Sequence, residues 1–192
     1  MNPADKENIL VEAEAILAYL RASDGSDYSR QTNGIMELRR LAIDSVAARD
    51  ELRRLIHEGD GAVRILAAEA LSRTASYPED AIPVLIAALD VCREHNLIES
   101  SEAWLKVALG AIANYGEDSI QAEESVWPYI YTQDNLNLQL YAITAISKMA
   151  KVSNASWTIL CSLCQHTNQA IRDFSRDLMK NDSFREYMQR NT

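Results

Sequence analysis

Cys161-Ser-Leu-Cys164, followed by His166, is the arrangement in this chain closest to a metal or redox site. Thiols three residues apart share one helical face, and an imidazole is a common further ligand. A structural zinc, however, takes four ligands, most often two such pairs. The third cysteine, Cys92, is far away in sequence. A redox pair belongs at the start of a helix that follows a strand, and this one falls inside a helical pattern. Leu160, Leu163 and Cys164 already form an apolar stripe, so the spacing predicts thiols in a core and no metal. An odd, low cysteine count is no disulfide framework.

The other reactive side chains also read as structural. His57, His95 and His166 each fall near the end of a helix, where donors and cations complement the negative pole, and no HExxH spacing joins them. Glu79-Asp80, Glu117-Asp118 and Glu123-Glu124 offer paired carboxylates. Acid–base chemistry needs one of a pair buried with a raised pKa, whereas acids at helix starts complement the positive pole and stay solvated. Trp127-Pro-Tyr-Ile-Tyr131 with Tyr141 is the densest aromatic cluster. Tryptophans at helical spacing, Trp104 and Trp157 included, fill gaps between packed helices. Tyr129 and Tyr131 stand two apart and cannot both face one core side, which predicts side chains reachable by a partner. No Gly-rich phosphate loop, GxSxG or dinucleotide fingerprint is present. The expectation is a non-enzyme without a cofactor.

The elements that position these residues are helices. Val63, Ala67, Ala70 and Leu71 lie on one helical face. Trp104, Ala108, Ala111 and Ile112 repeat the spacing, as do Leu138, Ala142, Ala145 and Ile146, and more loosely Ile171, Ser175, Leu178 and Met179. Recurrence at roughly 33–41 residues predicts a stacked helical solenoid. The pattern divides into about five antiparallel pairs: 3–22 with 31–43, 45–58 with 61–75, 79–95 with 100–115, 119–132 with 136–151, and 154–166 with 168–180. Ser183 to Gln189 adds a short terminal helix. First helices carry bulky stripes such as Leu52, Leu55 and Ile56; second helices carry small residues such as Ala67, Ala108 and Gly110. A mid-helix glycine costs about 1 kcal/mol against alanine, and close helix packing at Gly110 would offset it. The phrases Tyr77-Pro-Glu-Asp80 and Tyr115-Gly-Glu-Asp118 each end one pair and open the next.

The chain of 192 residues is long enough for one domain with a sizeable core. The reading is a single domain over 1–192: a divergent N-terminal cap over 1–44, repeats over 45–180 and a tail over 181–192. No long uncharged apolar run suggests a membrane span, and the polar, acidic N-terminus lacks a signal-peptide pattern; the cytoplasm is the expected compartment. The net charge of −9 is unevenly spread. Residues 66–134 hold three bases, Arg73, Arg93 and Lys106, against twelve acids. Such a field repels nucleic acid and anionic lipid and speeds the approach of a basic protein.

Asp60-x-x-Val63-Arg64-x-x-Ala67-Ala68-x-Ala70-Leu71, preceded by Leu52-x-x-Leu55-Ile56, resembles HEAT repeats, of the short variety also found in phycobilisome lyase-like proteins. Pro83 and Pro128 resemble the proline of the family's first helix, and the resemblance covers about residues 45–180. It implies a right-handed α-α superhelix, a protein partner bound through an exposed helical face, and a polar ladder from bases just inside the second helices. Arg64 and Arg172 match those bases; Leu105 and Gln139 depart from them.

Together these readings predict a protein-binding module of the acidic inhibitor or immunity type, which neutralises a basic protein such as a bacterial toxin. Glu79, Asp80, Glu117, Asp118, Glu123, Glu124, Tyr129, Tyr131 and Asp134 are its candidate binding residues. Two other roles fit the pattern: a lyase-like protein assisting cofactor attachment, and a structural adaptor in a larger assembly.

Overall fold

A computed structural model of the chain describes residues 28–95, 101–132 and 135–180, with side chains from residue 32 onward. The first helix of the expected cap, the Ser183–Gln189 helix, most of the connection between His95 and Ser101, and Asp134 lie outside the described residues. Within them the chain forms only helices and turns: α1 (Tyr28–Leu41), α2 (Val46–Glu58), α3 (Gly61–Ser72), α4 (Pro78–Glu94), α5 (Glu102–Tyr115), a 3-10 helix (Gly116–Ala122), α6 (Glu123–Ile130), α7 (Leu136–Met149), α8 (Asn154–Leu163) and α9 (Gln169–Met179). None is long and apolar enough to cross a membrane.

Short polar residues start the helices. Ser45, Asp60, Asn135, Ser153 and Asn168 each stand just before a helix and accept a backbone N–H from its first turn, which satisfies donors the helix cannot bond itself. Gly116, with φ 62° and ψ −121°, stops α5 in a region that side-chain-bearing residues avoid. Fourth helical residues such as Arg64 do a second job, described below.

The chain divides into two compact units within α4, between Leu85 and Ile86. In the first unit, α3 packs against both α1 and α2. Ile35, Leu38, Leu52, Ile56, Val63, Ala67 and Leu71 meet there, each almost fully buried. In the second unit, α7 packs against α5, the 3-10 helix, α6, α8 and α9. Its stripe Leu138, Ala142, Ala145 and Ile146 is fully buried, as are Ala108 and Ile112 of α5 and Leu160 of α8.

Two details differ from the sequence expectation. The fourth pair opens with a 3-10 turn rather than an α-helix, because Gly116 sets the chain going in a tight coil before Glu123. The buried face of α5 also differs at its first position: Ala108, Ala111 and Ile112 are buried as expected, but Leu105 is 1% exposed while Trp104 is only half-buried. An apolar residue in the ladder position of α5 draws that position into the core.

Candidate functional site

The carboxylates expected to bind a partner fall into two classes. In the first unit, the Tyr77-Pro-Glu-Asp80 phrase is folded onto α2. Tyr77 adopts a left-handed backbone, φ 51°, as does Ala75, φ 47°. Its hydroxyl donates to Asp50, and that acceptor holds the phenol above its ordinary pKa. The Arg53 guanidinium lies 4.6 Å from the Tyr77 ring centre and donates to Asp80 at 2.5 Å, with Glu79 at 3.8 Å. His57 Nε2 stands 3.2 Å from the other Asp80 oxygen. Asp80 is therefore a structural tie between α2 and the start of α4, its side chain only 15% exposed.

In the second unit, the Tyr115-Gly-Glu-Asp118 phrase behaves differently. Tyr115 is buried, and the acids project from the 3-10 helix. The Glu117 side chain is 55% exposed, with Lys151 at 3.9 Å. Asp118 and Glu124 are exposed and form no ion pair among the described residues. These three acids lie within eight residues of one another and keep their charge toward solvent.

Glu123 departs from the solvated acid expected at a helix start. Its carboxylate is half-buried and turned inward. It accepts the backbone N–H of Ser156 at 3.0 Å, the Ser153 hydroxyl at 2.5 Å and the Ser156 hydroxyl. An acid from the start of α6 thus caps the start of α8. Only the Ser153-x-x-Ser156 donors, thirty residues downstream, hint at this in sequence.

Tyr129 is the second departure. It is 1% exposed, and its hydroxyl donates to the Leu89 carbonyl at 2.5 Å. Burial pushes its phenol well above the ordinary range. Tyr131, at the end of α6, is 59% exposed and Tyr141 is 44% exposed, so the alternation expected from two-residue spacing is real but only one of the pair faces solvent. The Tyr141 ring lies over Gly110, 3.6 Å from where a side-chain carbon would stand. That is ordinary contact, so Gly110 is not required by a close helix approach, contrary to the sequence expectation. Gly59 is: a methyl there would meet the Leu55 carbonyl and Val63 at 2.6 Å.

The bases expected to form a polar ladder make local bonds to backbone carbonyls instead. Arg64 donates to the Ile56 carbonyl at 2.7 Å, Arg172 to the His166 carbonyl at 2.8 Å, and Arg49 to the Ala42 carbonyl at 2.5 Å. Gln139, at the corresponding position of α7, makes the same bond to the Ile130 carbonyl at 3.1 Å. Each stands four residues after a capping residue and satisfies a carbonyl left open where the preceding helix ends. Leu105 leaves that bond unmade in α5.

The thiols are half-buried rather than sealed in the core. Cys164 Sγ stands 3.1 Å from Met179 Sδ, and burial raises both the Cys161 and Cys164 thiols. All three cysteines are free. Among the described residues no three His, Cys, Asp or Glu side chains gather as metal ligands. The arrangement as a whole offers charge and exposed aromatic surface. Compared with protein-family models, with curated proteins and with solved structures, the chain matches none of them.

Proposed function

We propose that the chain is a non-enzymatic binding module that captures a basic protein on the acidic face formed by Glu117, Asp118 and Glu124, with Tyr131 as an exposed aromatic anchor. The carrying observation is that these acids stand exposed, Glu117 with Lys151 at 3.9 Å and Asp118 and Glu124 without an ion pair among the described residues, whereas Asp80 and Glu123 are bonded inside the fold. An exposed acidic cluster that Lys151 offsets only in part, on a chain of net charge −9, speeds encounter with a cation-rich surface. Aromatic residues at such a surface supply the buried contact that charge alone does not. The specific role is that of an inhibitor or immunity-type protein, acting in the bacterial cytoplasm on a basic toxin.

We read the architecture as a short HEAT-like superhelix. Within the first unit, α1 is tied to α3 by Arg39 and Glu69, 3.3 Å apart, and α2 to the start of α4 by Arg53 and Asp80. Within the second, α6 is tied to α8 through Glu123, and α7 lies against both α5 and α9. Within each unit, these links join helices of like position in neighbouring pairs, which favours a stacked reading.

The test is capture of basic proteins from the native cell at low and high salt, followed by kinetics on the purified partner. Capture should weaken with salt, and the triple variant Glu117→Gln, Asp118→Asn, Glu124→Gln should slow association by about tenfold or more. Capture indifferent to both salt and the triple variant would sink the proposal.

A further inference from the structure

The sulfur atoms of α8 and α9 form a group that the acidic face does not use. Cys164 caps the end of α8 and lies against Met179 in the last turn of α9, sulfur to sulfur at 3.1 Å. Cys161 stands one turn earlier on α8, and i,i+3 neighbours on a helix have Cβ atoms about 5–6 Å apart. All three side chains are half-buried, so an ion can reach them from solvent. His166 does not join them: its Nδ1 accepts the Asn168 backbone N–H at 3.1 Å.

The donor set is therefore sulfur alone, two thiols and a thioether. Calcium and magnesium take oxygen ligands, and a structural zinc takes four nitrogen or sulfur ligands. Thiolate with thioether selects a soft monovalent ion. We propose that Cys161, Cys164 and Met179 hold one such ion, Cu(I), between the end of α8 and the end of α9. As the two thiolate–metal bonds form, two thiol protons leave to solvent. The thioether adds its lone pair without proton change, and no electron is transferred. The site then carries one net negative charge, and the Arg176 guanidinium is near enough to Cys164 to favour it.

The experiment is anaerobic titration of the reduced full chain with Cu(I) against a Cu(I)-specific chelator, read by near-ultraviolet thiolate–metal absorbance. One ion per chain should be retained. Cys161→Ser and Cys164→Ser should each lower affinity by more than about 100-fold, because these are ligands rather than their supports. Met179→Leu, close in volume, should lower it by about tenfold, and Cys92→Ser should not change it. Circular dichroism confirms that each variant is folded. Should a serine variant fail to fold, alkylation of the native chain decides: bound Cu(I) should protect Cys161 and Cys164 but leave Cys92 reactive. No retained ion, retention in both serine variants, or equal alkylation of all three cysteines would overturn the proposal.

Discussion

The same three residue types in the same order, a tyrosine, then a glutamate and an aspartate, occur at Tyr77–Asp80 and at Tyr115–Asp118, with opposite fates. At the first, the acids meet Arg53 and His57 of α2 and the tyrosine meets Asp50. At the second, the tyrosine is buried and the acids face solvent. The phrase itself is neutral between tie and surface; what the neighbouring helix presents decides. An acidic stretch is thus a supply of charge, and only the residues left over after internal pairing are available to a partner.

Several changes sharpen or break that contrast. The largest effect belongs to Glu123, the inward acid. Glu123→Ala should lower stability by about 2–3 kcal/mol, since three donors lose a charged acceptor, while Glu124→Ala should stay within about 0.5 kcal/mol; thermal denaturation compares them. Equal effects would erase the distinction between inward and outward acids. Next come the two junction backbones. Gly116→Ala should cost about 1–2 kcal/mol, because its positive φ strains any side chain. Ala75→Gly should gain about 0.5 kcal/mol, the relief of strain less the added chain entropy of glycine. Chemical denaturation reads both.

Smaller is the exchange of aspartates. Asp80→Asn should cost about 0.5–1 kcal/mol through the loss of its charge pairing with Arg53 and leave partner capture unchanged. Asp118→Asn should do the reverse, leaving the melting temperature alone and slowing capture. The smallest effect is alkaline. The Tyr77 phenol is raised above 10.0 by its bond to Asp50. Its contribution is therefore complete below that value and is lost as pH rises through the raised one. Denaturation midpoints of the native chain should fall more steeply than those of Tyr77→Phe as pH rises above about 10.

Much of the architecture is legible in the sequence because burial is periodic. Val63, Ala67, Ala70 and Leu71 face inward as their spacing predicts, and so do Leu138, Ala142, Ala145 and Ile146. Register was harder where one strong residue outweighed the pattern: Trp104 marks the stripe in sequence, yet Leu105 holds the core position. The binding surface is less legible. Exposure of Tyr131 follows from alternation, but burial of Tyr129 depends on the Leu89 carbonyl forty residues away. Glu123 resembles any solvated acid at a helix start until the serines before α8 come beside it. Such partners are set by tertiary contact, which local spacing does not encode.

Gln139 does without charge what Arg64 and Arg172 do with it. A neutral amide and a guanidinium serve the same carbonyl, so exchanging one for the other changes the electric field around the molecule and spares its joints. Selection acting on that position could retune attraction toward a new binding partner while the scaffold stays put.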